Sequence, residues 1–290
     1  MANINAMQQK YPVGLMWFRR DLRAFDNAAL HHALKSCQKV HCVFVFDREI
    51  LDGLPTRDRR VAFIWEAINE LNEQLAVLAL QHKVKGAGLI VLHALASDAL
   101  PLLCQQLKAT AVFTNHDDEP QALARDAKVQ ALLEAQGTAF HTFKDHVIFE
   151  RFEVLTLASK PYSVFTPYKN AWLKKVDAFY LKPYPIDKYA VALAALPANH
   201  QHGVPSLKAI GFDETNLQSV KIPTGASGGA QLFDEFLSRM DSYGETRNFP
   251  AVKGPSYLGV HLRFARCLSA NWPALGWSSN ALAVRAQPCG

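Results

Sequence analysis

The sequence predicts an α/β fold: a parallel-sheet unit at the N-terminus, a long connector, then the start of an α-helical unit. Three observations carry this. Between residues 13 and 143, short apolar runs alternate with stretches of helical period. The apolar runs are near-continuous instead of alternating, which suits strands buried on both faces. Residues 183–229 then lose periodicity in a Pro-, Gly-, Ala- and Asn-rich stretch, and an amphipathic pattern resumes at Leu232.

The elements follow in order. VGLMWF (13–18) predicts a first strand, and Asp26 or Asn27 an N-cap for a short helix through Leu34. VHCVFVF (40–46) predicts a second strand. Val61, Ile64, Trp65, Ile68, Leu71, Leu75 and Leu78 step by three or four and predict a long helix. LIVLH (89–93) is a third strand, with Ser97 expected to cap the helix carrying Leu100, Leu103 and Leu107. AVFTN (111–115), a helix from Glu119 to Glu134, and AFHTF (139–143) complete the unit.

The expected organisation is an α/β domain over 1–143, a connector over 144–229, and a helical unit opening over 230–264. Leu232, Phe233, Phe236, Leu237 and Met240 mark its first helix. Residues 265–290 hold no acidic residue and no apolar period, which marks an atypical tail.

Composition narrows the function classes. The 290 residues are 49% hydrophobic and 20% charged, which excludes a disordered or low-complexity chain. A net charge of +5 permits an anionic partner without requiring one. Cys37, Cys42, Cys104, Cys267 and Cys289 form no C-x-x-C pair. With no signal-like apolar segment at the start, the expected compartment is a reducing cytoplasm, with no membrane partner. No G-x-G-x-x-G, P-loop, H-E-x-x-H or G-x-S-x-G occurs, so no dinucleotide, zinc-protease or hydrolase mechanism is predicted.

Four segments carry candidate chemistry. WFRRDLRAFDN (17–27) puts Arg19, Arg20 and Arg23 at a strand end. They suit an anionic ligand or, preferably, a salt-bridge cluster with Asp21 and Asp26. NHDDE (115–119) suits a hard cation or, preferably, a helix start, since Asp117 and Asp118 favour a helix N-terminus. His31 and His32 are expected on a solvated helix face. Lys160, Lys169, Lys174, Lys175, Lys182 and Lys188 interleave with seven aromatics over 160–188. They suit phosphates and bases, or a connector anchored by its aromatics with the lysines in water. Over 243–264, Arg247, Lys253 and Arg263 flank GPSYLG (254–259), a small-residue turn before a helix start. Ser256 can cap that helix, and amides at such a start can receive a phosphate.

Taken together, WFRRDLRAFDN, ALARDAKV (122–129), SVFTPYKNAWLK (163–174) and YGETRNFPAVKGPSYLGVHLRF (243–264) resemble the DNA photolyase/cryptochrome family. The resemblance is closest to bacterial cyclobutane-pyrimidine-dimer photolyases and runs over about 13–264. It implies a photolyase-type α/β antenna domain followed by a helical FAD-binding domain. The implied activity is light-dependent DNA repair, in which photoexcited reduced FAD donates an electron to a pyrimidine dimer flipped out of DNA. The alternatives are a cryptochrome-like blue-light photoreceptor, or an inactive remnant that keeps the α/β unit. The implied partner is dimer-containing DNA, bound by a monomer.

By position, the resemblance assigns Tyr243 to the flavin's side and Pro255, Ser256, Tyr257, Leu258 and Gly259 to the flavin pyrophosphate. Arg247 is assigned to DNA. No catalytic residue or metal ligand is implied. The family often reads Thr-Ser-x-Leu-Ser here, so Pro255 and Gly259 replace two hydroxyl residues. A second antenna chromophore, of folate or deazaflavin type, is a family feature. Gln121 and Ala122 replace the Asn-Glu pair of folate-binding relatives. After HLRF the family wording stops, which implies truncation after about residue 264, by a shifted frame or a shortened gene product. Reading the nucleotide sequence past codon 264 in the other frames tests this.

Overall fold

A computed structural model of the chain describes residues 9–263. Five parallel strands lie in the order β3-β2-β1-β4-β5: β1 (Tyr11–Phe18), β2 (Cys37–Asp47), β3 (Leu89–Ala94), β4 (Ala111–Asn115) and β5 (Ala139–Phe143). Strand order reverses beside β1, so the crevice at the carboxyl ends of β1 and β4 is the switch point of the sheet.

The period of two along each strand divides the core. Met16, Phe18, Cys42, Phe44, Val91 and Phe113 face α1 (Ala28–Ser36) and α3 (Arg59–Gln81). Leu15, Trp17, Val43, Val45, Ile90 and Val112 face α4 (Ala96–Leu107) and α5 (Pro120–Ala135). A single-turn helix, α2 (Arg48–Leu51), leaves β2 at Asp47. No described helix is long and apolar enough to cross a membrane.

Asn27, not Asp26, caps α1: its side chain accepts from the Leu30 amide at 3.0 Å. Ser97 does not cap α4. It lies inside the helix, whose N-cap is Leu95, and the carboxylate of Asp47 receives the Ala96 amide at 3.3 Å instead. A residue at the neighbouring strand end thus does the capping.

The connector carries α6 (Phe165–Lys175), whose residues are all at least partly exposed. Phe149, Val154, Val176 and Leu181 form a small core under it, with Tyr162, Tyr168, Trp172 and Tyr180 packed alongside. Phe165 and Phe179 stay 73% and 78% exposed, so only part of the aromatic set anchors this segment.

His31 and His32 are not on a solvated face. His31 is buried, and His32 stacks on Phe143 with ring centroids 4.4 Å apart. Connector residues Tyr184 and Tyr189 close over them at 5.3–5.8 Å. Burial, then the neighbouring His31 and Lys35, lowers the His32 pKa to about 4. Burial also lowers His31, against a bond to the Pro185 carbonyl, with Lys35 and Lys188 adding repulsion. Each folded pKa lies below the unfolded value, so the neutral rings are favoured. The stability they confer is complete above about pH 6.5 and is lost as pH falls toward 4. Urea midpoints at pH 7 and pH 5 should therefore separate more for the wild type than for His31→Phe/His32→Phe. An equal separation would refute the linkage.

The helix expected near 230 begins earlier: α7 spans Gly225–Leu237. Its start is fixed by α3 and not by a local cap. Glu70 accepts from the Ser227 amide at 2.9 Å and from the Ser227 hydroxyl at 3.0 Å, and Glu66 accepts from Thr224 Oγ1 at 2.5 Å.

Candidate functional site

The residues singled out over 243–259 come together at the end of α7. Phe236, on the buried face of α7, meets Tyr243 edge-on at 5.9 Å. Tyr243 opens a short helix, α8 (Tyr243–Thr246), and remains 38% exposed. Arg247 follows it, exposed and without an ion pair among the described residues. The chain then returns through Gly254, packed so closely on α8 that a Cβ there would lie 2.7 Å from Thr246 Oγ1.

The turn 255–259 is held from both sides. Leu258 is 1% exposed, buried against Leu232 and Phe233 of α7. Ser256 does not cap α9 (Gly259–Arg263): it lies three residues before that helix, and its Oγ accepts instead from the Leu258 amide at 3.4 Å, inside the turn. Tyr257 takes a left-handed conformation, φ +58°, and its ring is 48% exposed. Arg239, at the end of α7, braces the turn. It donates to the Glu235 carbonyl at 2.6 Å and the Pro255 carbonyl at 2.9 Å, lies 5.5 Å from the Phe236 ring, and keeps a buried Nε without a partner. Arg239 was not legible in the sequence, because its partner lies 16 residues on and only the fold joins them.

The arginine cluster and the acidic loop meet at the switch point. Arg19 pairs with Asp126 at 2.5 Å, and Arg20 with Asp117 at 3.0 Å. Arg23 pairs with Asp145 at 2.8 Å, both side chains nearly fully buried. The salt-bridge reading therefore holds, with carboxylates from distant segments, Asp126, Asp117 and Asp145, joining the cluster. The Trp17 ring lies 4.9 Å from the Arg19 guanidinium and 5.0 Å from that of Arg125, which belongs to the ALARDAKV segment. Asp117 receives the Glu119 amide at 3.2 Å, but Glu119 is itself the N-cap of α5 and no side chain caps that helix, so neither acid is the expected cap; Asp118 pairs with Arg151 at 2.7 Å. Burial raises the Asp21 pKa, but His146, the Arg19 amide and Arg23 outweigh it, so it stays below the usual carboxylate range. Among the described residues, no three His, Cys, Asp or Glu side chains are arranged to hold a metal ion.

A doubly wound parallel sheet with helices on both faces, continued by a helical segment, places the chain among the α/β proteins. Residues 14–188 match the family model described as DNA photolyase, and the chain belongs to that family. It is 31% identical over 256 residues to an uncharacterized 31.6 kDa protein of Synechococcus sp. (strain PCC 6716), covering 88% of this chain and 85% of that one. It is 33% identical to a deoxyribodipyrimidine photo-lyase of Halobacterium salinarum, covering 86% of this chain and 51% of that one. The chain thus spans about half the length of the photo-lyase it matches. A solved bacterial class III photolyase from Agrobacterium tumefaciens, 23% identical, superposes with a TM-score of 0.76 over 98% of this chain and 57% of that one.

Proposed function

We propose that this chain is the α/β half, and the opening of the flavin unit, of a light-dependent enzyme that splits cyclobutane pyrimidine dimers in DNA. What supports the reading most directly is the turn 255–259, set against α7 by Leu258 and Arg239 with Tyr243 beside it.

The residues present fit one end of FAD. Tyr257 and Gly259 are exposed, and a Cβ on Gly259 would meet nothing within 4 Å, so a diphosphate can approach the backbone there. Ser256 offers a hydroxyl, and the Arg239 guanidinium adds positive charge next to Pro255. The described residues do not wall in the ring end: Tyr243, Phe249 and Val252 are 38%, 61% and 44% exposed. A flavin ring needs a largely closed pocket, so this chain alone holds FAD weakly and through its diphosphate. When bound in a complete cage, FAD supplies the light-driven electron. The chain's own part is to seat the diphosphate and to present Arg247 and the exposed Lys160, Lys174 and Lys182 to DNA phosphates. The switch-point crevice does not fit an antenna chromophore held by charge, because its arginines and carboxylates are paired with one another. We assign none.

A chimera tests the reading. Residues 9–263 replace the matching half of the Halobacterium photo-lyase, and dimer-bearing oligonucleotides are followed in blue light and in the dark. Dimer loss in light alone is expected. A chimera that folds and holds flavin yet splits no dimers would count against the proposal.

A further inference from the structure

The arginine cluster and acidic loop have no part in the flavin seat as described, yet both reach the element that carries it. Arg20 donates through Nε and Nη2 to the Arg263 carbonyl, at 3.0 and 2.8 Å. The same guanidinium holds Asp117 at 3.0 Å, and Asp117 is only 7% exposed. Arg263 in turn reaches Glu119 at 2.6 Å. The two arginines are thus crossed: the one from the loop after β1 binds the backbone of α9, and the one from α9 binds the loop after β4. On the opposite side, His261 is fully buried, with its ring 5.4 Å from Phe63 of α3.

We propose that Arg20, Glu119 and Phe63 form a seat on the α/β unit that registers α9, and with it the turn 255–259. Three elements far apart in sequence converge on five residues of one short helix. A helix this short has little stability of its own, so its position is set by what it packs against. An exposed pair such as Arg263–Glu119 contributes little alone. The guanidinium bonds to a carbonyl, with a buried carboxylate fixing the donor, are the stronger part. Arg20 and Glu119 are positioning residues. The seat stands on its own geometry, and its consequence for FAD rests on the proposed function.

Amide hydrogen exchange of the whole chain tests the seat, with variants Arg20→Met, Arg263→Glu, and Glu119→Arg/Arg263→Glu. Arg20→Met should speed exchange over 258–263 about tenfold, the effect of losing bonds from a charged donor, while β1–β5 keep their protection. Arg263→Glu, facing Glu119 with like charge, should also speed it, and the double swap should bring it back. The swap keeps Arg20 and so controls for any misfolding of Arg20→Met. Unchanged exchange in Arg20→Met, or a swap no better than Arg263→Glu, would overturn the seat. ADP binding, measured on the same samples, reports on the flavin reading separately: a wild type that binds no ADP but shows the exchange pattern retains the seat.

Discussion

Replacing Arg23 with methionine is expected to destabilise the protein by about 3–5 kcal/mol, because it strips one partner from a buried ion pair. The Arg23 and Asp145 side chains are 1% and 2% exposed, and the guanidinium meets both carboxylate oxygens at 2.8–2.9 Å. It also donates twice to the Asp26 carbonyl, at 3.1 and 2.6 Å. Asp145 receives the Ala28 amide at 2.9 Å as well, so one carboxylate ties the exit of β5 to the first turn of α1. Methionine keeps the apolar stem and removes the charge, leaving Asp145 and Asp21 buried with a cation gone. The pH dependence distinguishes this from lost packing. Burial already raises the folded pKa of Asp145 although Arg23 pulls it down, so removing the guanidinium raises it further and strengthens proton uptake on folding in the variant. Its deficit should be full near neutral pH and shrink as pH falls toward that raised pKa. Urea unfolding at pH 7 and pH 5 measures both. A loss below about 1 kcal/mol would show that water reaches the pair.

Gly225→Ala should cost about 3 kcal/mol, through a left-handed backbone and a lost cap together. Gly225 sits at φ +70°, and an added Cβ would lie 1.6 Å from Glu70 Oε2. Glu70 is a flexible side chain, but it is tied to Ser227 twice and to Gln74 Nε2 at 2.8 Å. Moving aside releases the start of α7. In a Glu70→Ala background the same substitution should cost only its backbone part, about 1–2 kcal/mol, since clash and cap are already gone. An equal cost in both backgrounds would mean that Glu70 does not hold α7.

The sheet was legible because its physics is local. Five apolar runs of strand length, bounded by helical periods, leave little choice, and β4 and β5 fall on the expected residues. Features that depend on distant partners were not. Ser97 looks like a cap until Asp47, on the adjacent strand, supplies the oxygen. His31 and His32 look solvated until Tyr184 folds back from the connector. α7 begins at Gly225 because Glu70, 157 residues before Ser227, holds its first turn, and no local residue announces it. In the candidate site, the turn and Tyr243 were readable as a motif, while Arg239 and the Arg20–Arg263 crossing appear only once the chain is folded.

Titrating the purified chain with FAD, ADP and riboflavin tests most directly whether residues 243–259 seat a flavin by its phosphates. FAD and ADP should bind with similar, weak affinity, and riboflavin, which has no phosphate, should not. Ser256→Ala should weaken both phosphate ligands by about threefold to tenfold, the effect of one hydroxyl hydrogen bond. Riboflavin binding as well as FAD, or Ser256→Ala leaving both affinities unchanged, would contradict the account.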